Sequence, residues 1–207
     1  MNKLFERYEC LNLCKSEIEK ALEIIINCYE NDGKILVCGN GGSAADSDHI
    51  VGELMKGFML KRPVKRSFRD KMKIFFPGEG DILADSLQEA LPAISLAGQS
   101  AIFTAFINDV KPDMVYAQLT YGYGVNGDVL VCISTSGNSL NVVNAAKIAK
   151  AKDLKIVALV GQNQCKLDNI ADVVIHVPET ETYKIQELHL PVYHYLCAEC
   201  ESHFWNE

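Results

Sequence analysis

Apolar positions in the first 31 residues fall at Leu4, Tyr8 and Leu11, and then at Ile18, Ala21, Leu22 and Ile25. Spacing of three and four residues predicts one amphipathic helix or two, stopped at Asn31-Asp32-Gly33. The pattern then changes. Lys34-Ile35-Leu36-Val37-Cys38 is a short apolar run bounded by glycines, which predicts a strand buried on both faces. The same signature returns at 93–97, 129–133, 156–160 and 173–177. Helix-like segments separate these runs. One covers 140–152, with Asn138-Ser139 placed to cap it, another lies near 81–91, and a long helix closes the chain. Strands alternating with helices imply an α/β fold: a three-layer α/β/α sandwich with a five-stranded parallel sheet and long terminal helices. No repeat or flexible linker divides residues 1–207, so one domain is expected.

Ligands in such folds bind beyond the carboxyl ends of the strands. The first strand runs into Gly39-Asn40-Gly41-Gly42-Ser43, just before a helix. Glycines there let the backbone approach a ligand, and the helix N-terminus favours an anion such as phosphate. The loop lacks the GxGxxG spacing of a dinucleotide site and the Gly-Lys-Ser/Thr of a nucleotide P-loop. No nucleotide or redox cofactor is therefore expected. The third strand runs into Ser134-Thr135-Ser136-Gly137-Asn138-Ser139, again before a helix. Capping needs only one hydroxyl, and this loop has four. Such a cluster can hold a phosphate monoester with neutral donors and backbone amides.

Charge narrows the field. Lys plus Arg total 20 against 27 Asp plus Glu, a formal charge of -7 that argues against nucleic acid as a partner. No apolar run approaches the roughly 18 residues needed to span a bilayer. No signal-peptide core follows the N-terminus, so a cytoplasmic protein is expected. Eight cysteines lie mostly in strand-like and helix-like runs, which suits buried reduced thiols. Cys197-Ala198-Glu199-Cys200 has CxxC spacing, yet it is unpaired with a second such motif and sits in a helical pattern. One stretch is unlike the rest. Residues 61–73 hold seven bases and one acid, leaving 13 bases and 26 acids elsewhere. It reads either as a solvated face or as a cationic patch that steers a phosphorylated substrate near the active-site rim.

The two loops together resemble those of the SIS (sugar isomerase) domain family, and within it the sedoheptulose 7-phosphate (phosphoheptose) isomerases. The likeness extends through His49, Glu53, Asn108-Asp109, Ile185-Gln186-Glu187-Leu188-His189 and His194. It sets aside a basic inserted segment at about 64–91. This resemblance implies a flavodoxin-like SIS fold and interconversion of a ketose phosphate and an aldose phosphate. It implies that Asn40, Gly41, Gly42, Ser43, Ser134, Thr135, Ser136 and Ser139 bind the phosphate, and Asp109 and Gln186 the sugar. Glu53 and His194 become the catalytic acid/base groups, and a homotetramer with sites shared between subunits is expected.

His49 and Glu53 stand four residues apart on one helix face, within expected reach of a sugar held by the first loop. The family resemblance also implies zinc held by His49, Glu53, Gln186 and His194. On a straight helix Gln186 and His194 would stand about 12 Å apart. One ion then requires Gln186 to precede the helix, Pro191 to bend it, or a second subunit to contribute. His189 falls on another face and is expected to pack. Two departures concern the pocket. Gly57 stands where the family commonly has arginine, and Tyr183 where some members have aspartate. The alternative to an enzyme is a non-catalytic SIS module that senses a sugar phosphate or binds a protein partner.

Overall fold

The computed structural model describes residues 2–205. The chain opens with α1 (Asn2–Arg7), a 3-10 turn at Glu9–Cys14 and α2 (Lys15–Glu30). Next come β1 (Ile35–Gly39), α3 (Gly42–Leu54), α4 (Arg66–Phe75) and α5 (Gly80–Asp85). They are followed by β2 (Ala93–Ser95), α6 (Ser100–Asp109), α7 (Val115–Tyr123) and β3 (Val129–Ile133). The chain ends with α8 (Leu140–Ala151), β4 (Lys155–Val160), β5 (Val173–His176) and α9 (Thr182–Trp205).

All five strands are parallel, in the order β2-β1-β3-β4-β5. Alternate side chains of each strand enter opposite cores. Ile35, Val37, Val131 and Leu159 pack with α2, α3 and α9, whereas Leu36, Cys38, Leu130 and Ile156 pack with α7 and α8. This double burial is why the strands read as unbroken apolar runs. Each fully buried aliphatic side chain contributes about 1.5–3 kcal/mol of transfer free energy. The three-layer α/β/α expectation is met.

Two local expectations are corrected. The helix expected at 81–91 stops at Asp85 because the chain then pairs back on itself. Gln88 bridges to Pro63, Glu89 donates to the Arg62 carbonyl and Leu91 donates to the Leu54 carbonyl. The basic stretch also contains a helix, α4, packed against α5 as a hairpin. Arg69 bonds Asp81 and Asp85, and Lys73 bonds Asp81, across that hairpin. The hairpin rises from the far end of the sheet. Lys65 and Glu89 share a groove there with Gly33 and Pro92, which precede β1 and β2. The helices of the basic segment thus stand away from the hydroxyl loops, whereas its first residues run beside Glu53.

Arg62 is not a surface cation. It is 1% exposed, donates from Nε to Glu201 Oε1 at 2.7 Å and from Nη1 to the Leu54 carbonyl at 2.7 Å, and stacks on Trp205. Glu201 also accepts the N–H groups of Phe58, Met59 and Leu60. This buried pair fastens the loop after α3 to α9. Cys197 and Cys200 are buried core thiols, and burial pushes Cys200 up to about 12.

Candidate active site

Strand order reverses between β1 and β3, and the two candidate loops leave the sheet on either side of that point. Gly41 has φ 57° at the N-cap of α3, a conformation that favours glycine. Gly39 is also required, because a Cβ there would lie 2.6 Å from the Ser43 carbonyl oxygen. The Tyr116 hydroxyl donates to the Gly39 carbonyl and holds the end of β1. Asn40 and Asn141 exchange amide hydrogen bonds of 2.9 and 2.8 Å, which join the glycine loop to the start of α8.

Ser139 occupies the N-cap of α8, yet its side chain makes no capping bond. Its Oγ accepts from Ser134 Oγ at 3.2 Å instead. Asn138, the other expected cap, bonds Ser136 and accepts the Lys166 N–H. The capping expectation is therefore corrected: these side chains shape the loop. Ser43 and Ser134 are buried, while Thr135, Ser136 and Ser139 are accessible. Thr135 and Ser136 open into a polar cleft, which continues over Gly161, Gln162, Asn163 and Glu179.

The second cluster lies along α3 and α9. His49 Nε2 is 3.2 Å from Glu53 Oε1, and Lys56 bonds the other carboxylate oxygen at 3.2 Å. The His194 ring stacks edge-on to His49 at 5.0 Å and tilts against Phe58 at 5.5 Å. His194 Nε2 is buried without a hydrogen-bond partner among the described residues. Burial, with His49 alongside, holds the His194 imidazole below its ordinary range, and Glu53 opposes this. Tyr193 links the helices. Its hydroxyl donates to Asp46 at 3.2 Å and lies 3.0 Å from His49 Nδ1. Burial pushes both the Asp46 carboxyl and the Tyr193 phenol up.

The expected residues therefore form two groups. Glu53 lies eleven residues beyond Gly42 on α3, about 16 Å along the helix axis. Gln186 belongs with the glycine loop, since a Cβ on Gly42 would sit 2.7 Å from its Nε2. Asp109 ends α6, is exposed, and accepts from Asn108 at 2.8 Å. Gln186 lies inside α9, which runs unbroken through Pro191. Among the described residues of one chain, no three His, Cys, Asp or Glu side chains are placed to hold a metal ion. The zinc set does not fit within a single chain, and no chemistry is assigned to it.

A side chain at position 57 would collide with the Leu60 carbonyl at 2.4 Å, so arginine does not fit this loop. Tyr193, Asp46 and Asn141 were not singled out from sequence. Asp46 stands one helical turn before His49 and Asn141 two residues after Ser139, so position offered a signal. For Tyr193, the apolar pattern of α9 concealed the role.

Residues 4–73 and 81–161 match the SIS domain model. The chain belongs to the SIS domain family. Phosphoheptose isomerase from Shewanella baltica is 37% identical over 183 residues, covering 87% of this chain and 80% of the relative. Phosphoheptose isomerase from Helicobacter pylori is 35% identical over 204 residues, covering 93% of each chain. The solved phosphoheptose isomerase from Neisseria gonorrhoeae superposes with a TM-score of 0.76 at 33% identity, covering 95% of this chain and 91% of that one.

Proposed function

We propose that this chain is an aldose–ketose isomerase of a phosphorylated sugar, with sedoheptulose 7-phosphate the leading candidate. One observation carries the reading: a loop of four hydroxyls, with its cap serine turned away from capping, leaves the sheet beside its switch point, and its Thr135 and Ser136 open into a polar cleft. Neutral donors and helix N-terminal amides suit a phosphate monoester. Asn40, Gly41, Gly42, Ser43, Ser134, Thr135, Ser136 and Ser139 form this subsite, with Asn40 acting through Asn141. Gln186 and Asp109 contact the sugar.

Isomerisation moves a proton between neighbouring carbons. A base removes the C-1 proton of the ketose while an acid protonates the C-2 carbonyl oxygen, giving an enediol. Reprotonation at C-2 and loss of the O-1 proton give the aldose. Glu53 and His194 are the proposed pair. His194 has an unpartnered buried nitrogen, and burial favours its neutral imidazole, the form that accepts a proton.

The separation of Glu53 from the hydroxyl loop supports a homotetramer in which Glu53 and His194 of one subunit serve a sugar held by another. The eight free cysteines support a reducing, cytoplasmic setting. Conversion of ketose phosphates of five to seven carbons, followed by carbon NMR, tests the activity. The reading predicts an aldose product from at least one of them. No conversion across the panel would overturn it.

A further inference from the structure

His176, the last residue of β5, stands between two acceptors. Its Nδ1 is 2.8 Å from the Gly161 carbonyl oxygen, and its Nε2 is 2.9 Å from Asp168 Oδ1. The carbonyl has no hydrogen to give. Asp168 already accepts the Cys165 N–H at 2.8 Å and the Cys165 thiol at 3.3 Å. Burial would raise the Asp168 carboxyl, but these donors outweigh it and hold it below the ordinary range. It is an ionised acceptor. A neutral imidazole carries one N–H and satisfies only one of the two contacts. The imidazolium satisfies both.

The clamp reaches both flanks of the hydroxyl loop. Gly161 donates its N–H to the Thr135 carbonyl at 3.0 Å. On the other side, Cys165 packs so tightly on Gly137 that a Cβ there would lie 2.2 Å from its Sγ. The Lys166 N–H donates to Asn138 Oδ1 at 3.0 Å. Residues 135–138 are thus fixed from the His176–Asp168 pair in two directions.

We propose that His176, as an imidazolium, is a positioning residue that holds the hydroxyl loop in its phosphate-binding shape. This rests on the reading of that loop as the phosphate subsite. Asp168 is the charged group bonded to the ring, and Glu179 lines the cleft beside Gly161. Strand β5 is the sheet edge, and α2 packs on its other face through Val173 and Ile175. The neighbouring β4 contributes the Gly161 carbonyl that follows it.

The test compares wild type with H176Q, H176R and S136A, using calorimetric titration with sedoheptulose 7-phosphate and hydrogen exchange at the amides of 135–138 and 161. Glutamine cannot span both acceptors as a cation, so H176Q should bind about tenfold more weakly and exchange faster. Arginine keeps the charge and several N–H donors, so H176R should stay close to wild type in both readouts. Unchanged binding and exchange in H176Q would overturn the proposal, as would an H176R as impaired as H176Q. Normal binding by S136A would overturn the phosphate assignment instead, and exchange rates alone would then judge the clamp.

Discussion

At Gly42 one absent carbon sets the geometry of the site. Gln186 comes from α9 to lie against the first turn of α3, where a Cβ would be 2.7 Å from its amide nitrogen. The G42A variant should push aside the flexible end of Gln186 and leave the backbone in place. We expect a raised KM with an unchanged melting temperature; an unchanged KM would remove Gln186 from the sugar subsite. Ser136 and Ser139 are accessible, and each hydrogen bond lost in S136A or S139A costs about 0.5–1.5 kcal/mol of phosphate affinity. Calorimetry reads this directly, and normal affinity in both would place the phosphate elsewhere. The hydroxyl loop was legible because four hydroxyls before a helix exceed any capping need. The contact of Gln186 with Gly42 was not, since it depends on how α9 crosses α3.

At the scale of elements, Arg62 and Glu201 join three pieces of chain that sequence leaves apart: the end of α3, the loop after it, and the end of α9. In the sequence Arg62 is one more cation in a basic run, because only tertiary burial distinguishes it from its neighbours. Removing one member of a buried pair strands the other, at about 3–5 kcal/mol. The E201A variant should lose stability on that scale in urea unfolding. Burial would raise the Glu201 carboxyl, but the Phe58 and Met59 N–H groups and Arg62 outweigh it and hold it below the ordinary range. Its folded value lies under its unfolded value, so its stabilisation is complete above the unfolded value. That stabilisation is lost as pH falls through the folded one. Wild type should therefore weaken toward acid more steeply than E201A; parallel acid profiles would contradict this. The strands were legible from double burial, and α5 was overestimated because its end is set by pairing with residues 62–63.

At the scale of the molecule, a single chain leaves apolar surface uncovered. No residue of α6 is buried although the helix is largely apolar, and Ile107 is 46% exposed. A helix apolar on several sides is ordinarily covered. The hairpin also exposes Ile74, Phe75 and Ile82. In the homotetramer proposed above, a second copy would cover such surface, and its Glu53 would serve another chain's hydroxyl loop. Co-assembled E53Q and S136A subunits should then combine a turnover that E53Q alone lacks with a substrate affinity that S136A alone lacks, through sites built from the intact half of each. Absence of complementation in co-purified mixed oligomers would contradict shared sites. None of this was readable from spacing alone, since the intervals along α3 place His49 and Glu53 on one face without saying which chain's sugar they face.

Isomerisation in deuterated water, read by proton NMR, tests the central claim most directly. Glu53 and His194 passing a proton through an enediol should place solvent deuterium at the carbon next to the carbonyl of the product. The E53Q and H194N variants should slow that incorporation by about a hundredfold or more. Turnover without deuterium incorporation, or with undiminished incorporation in both variants, would contradict the account.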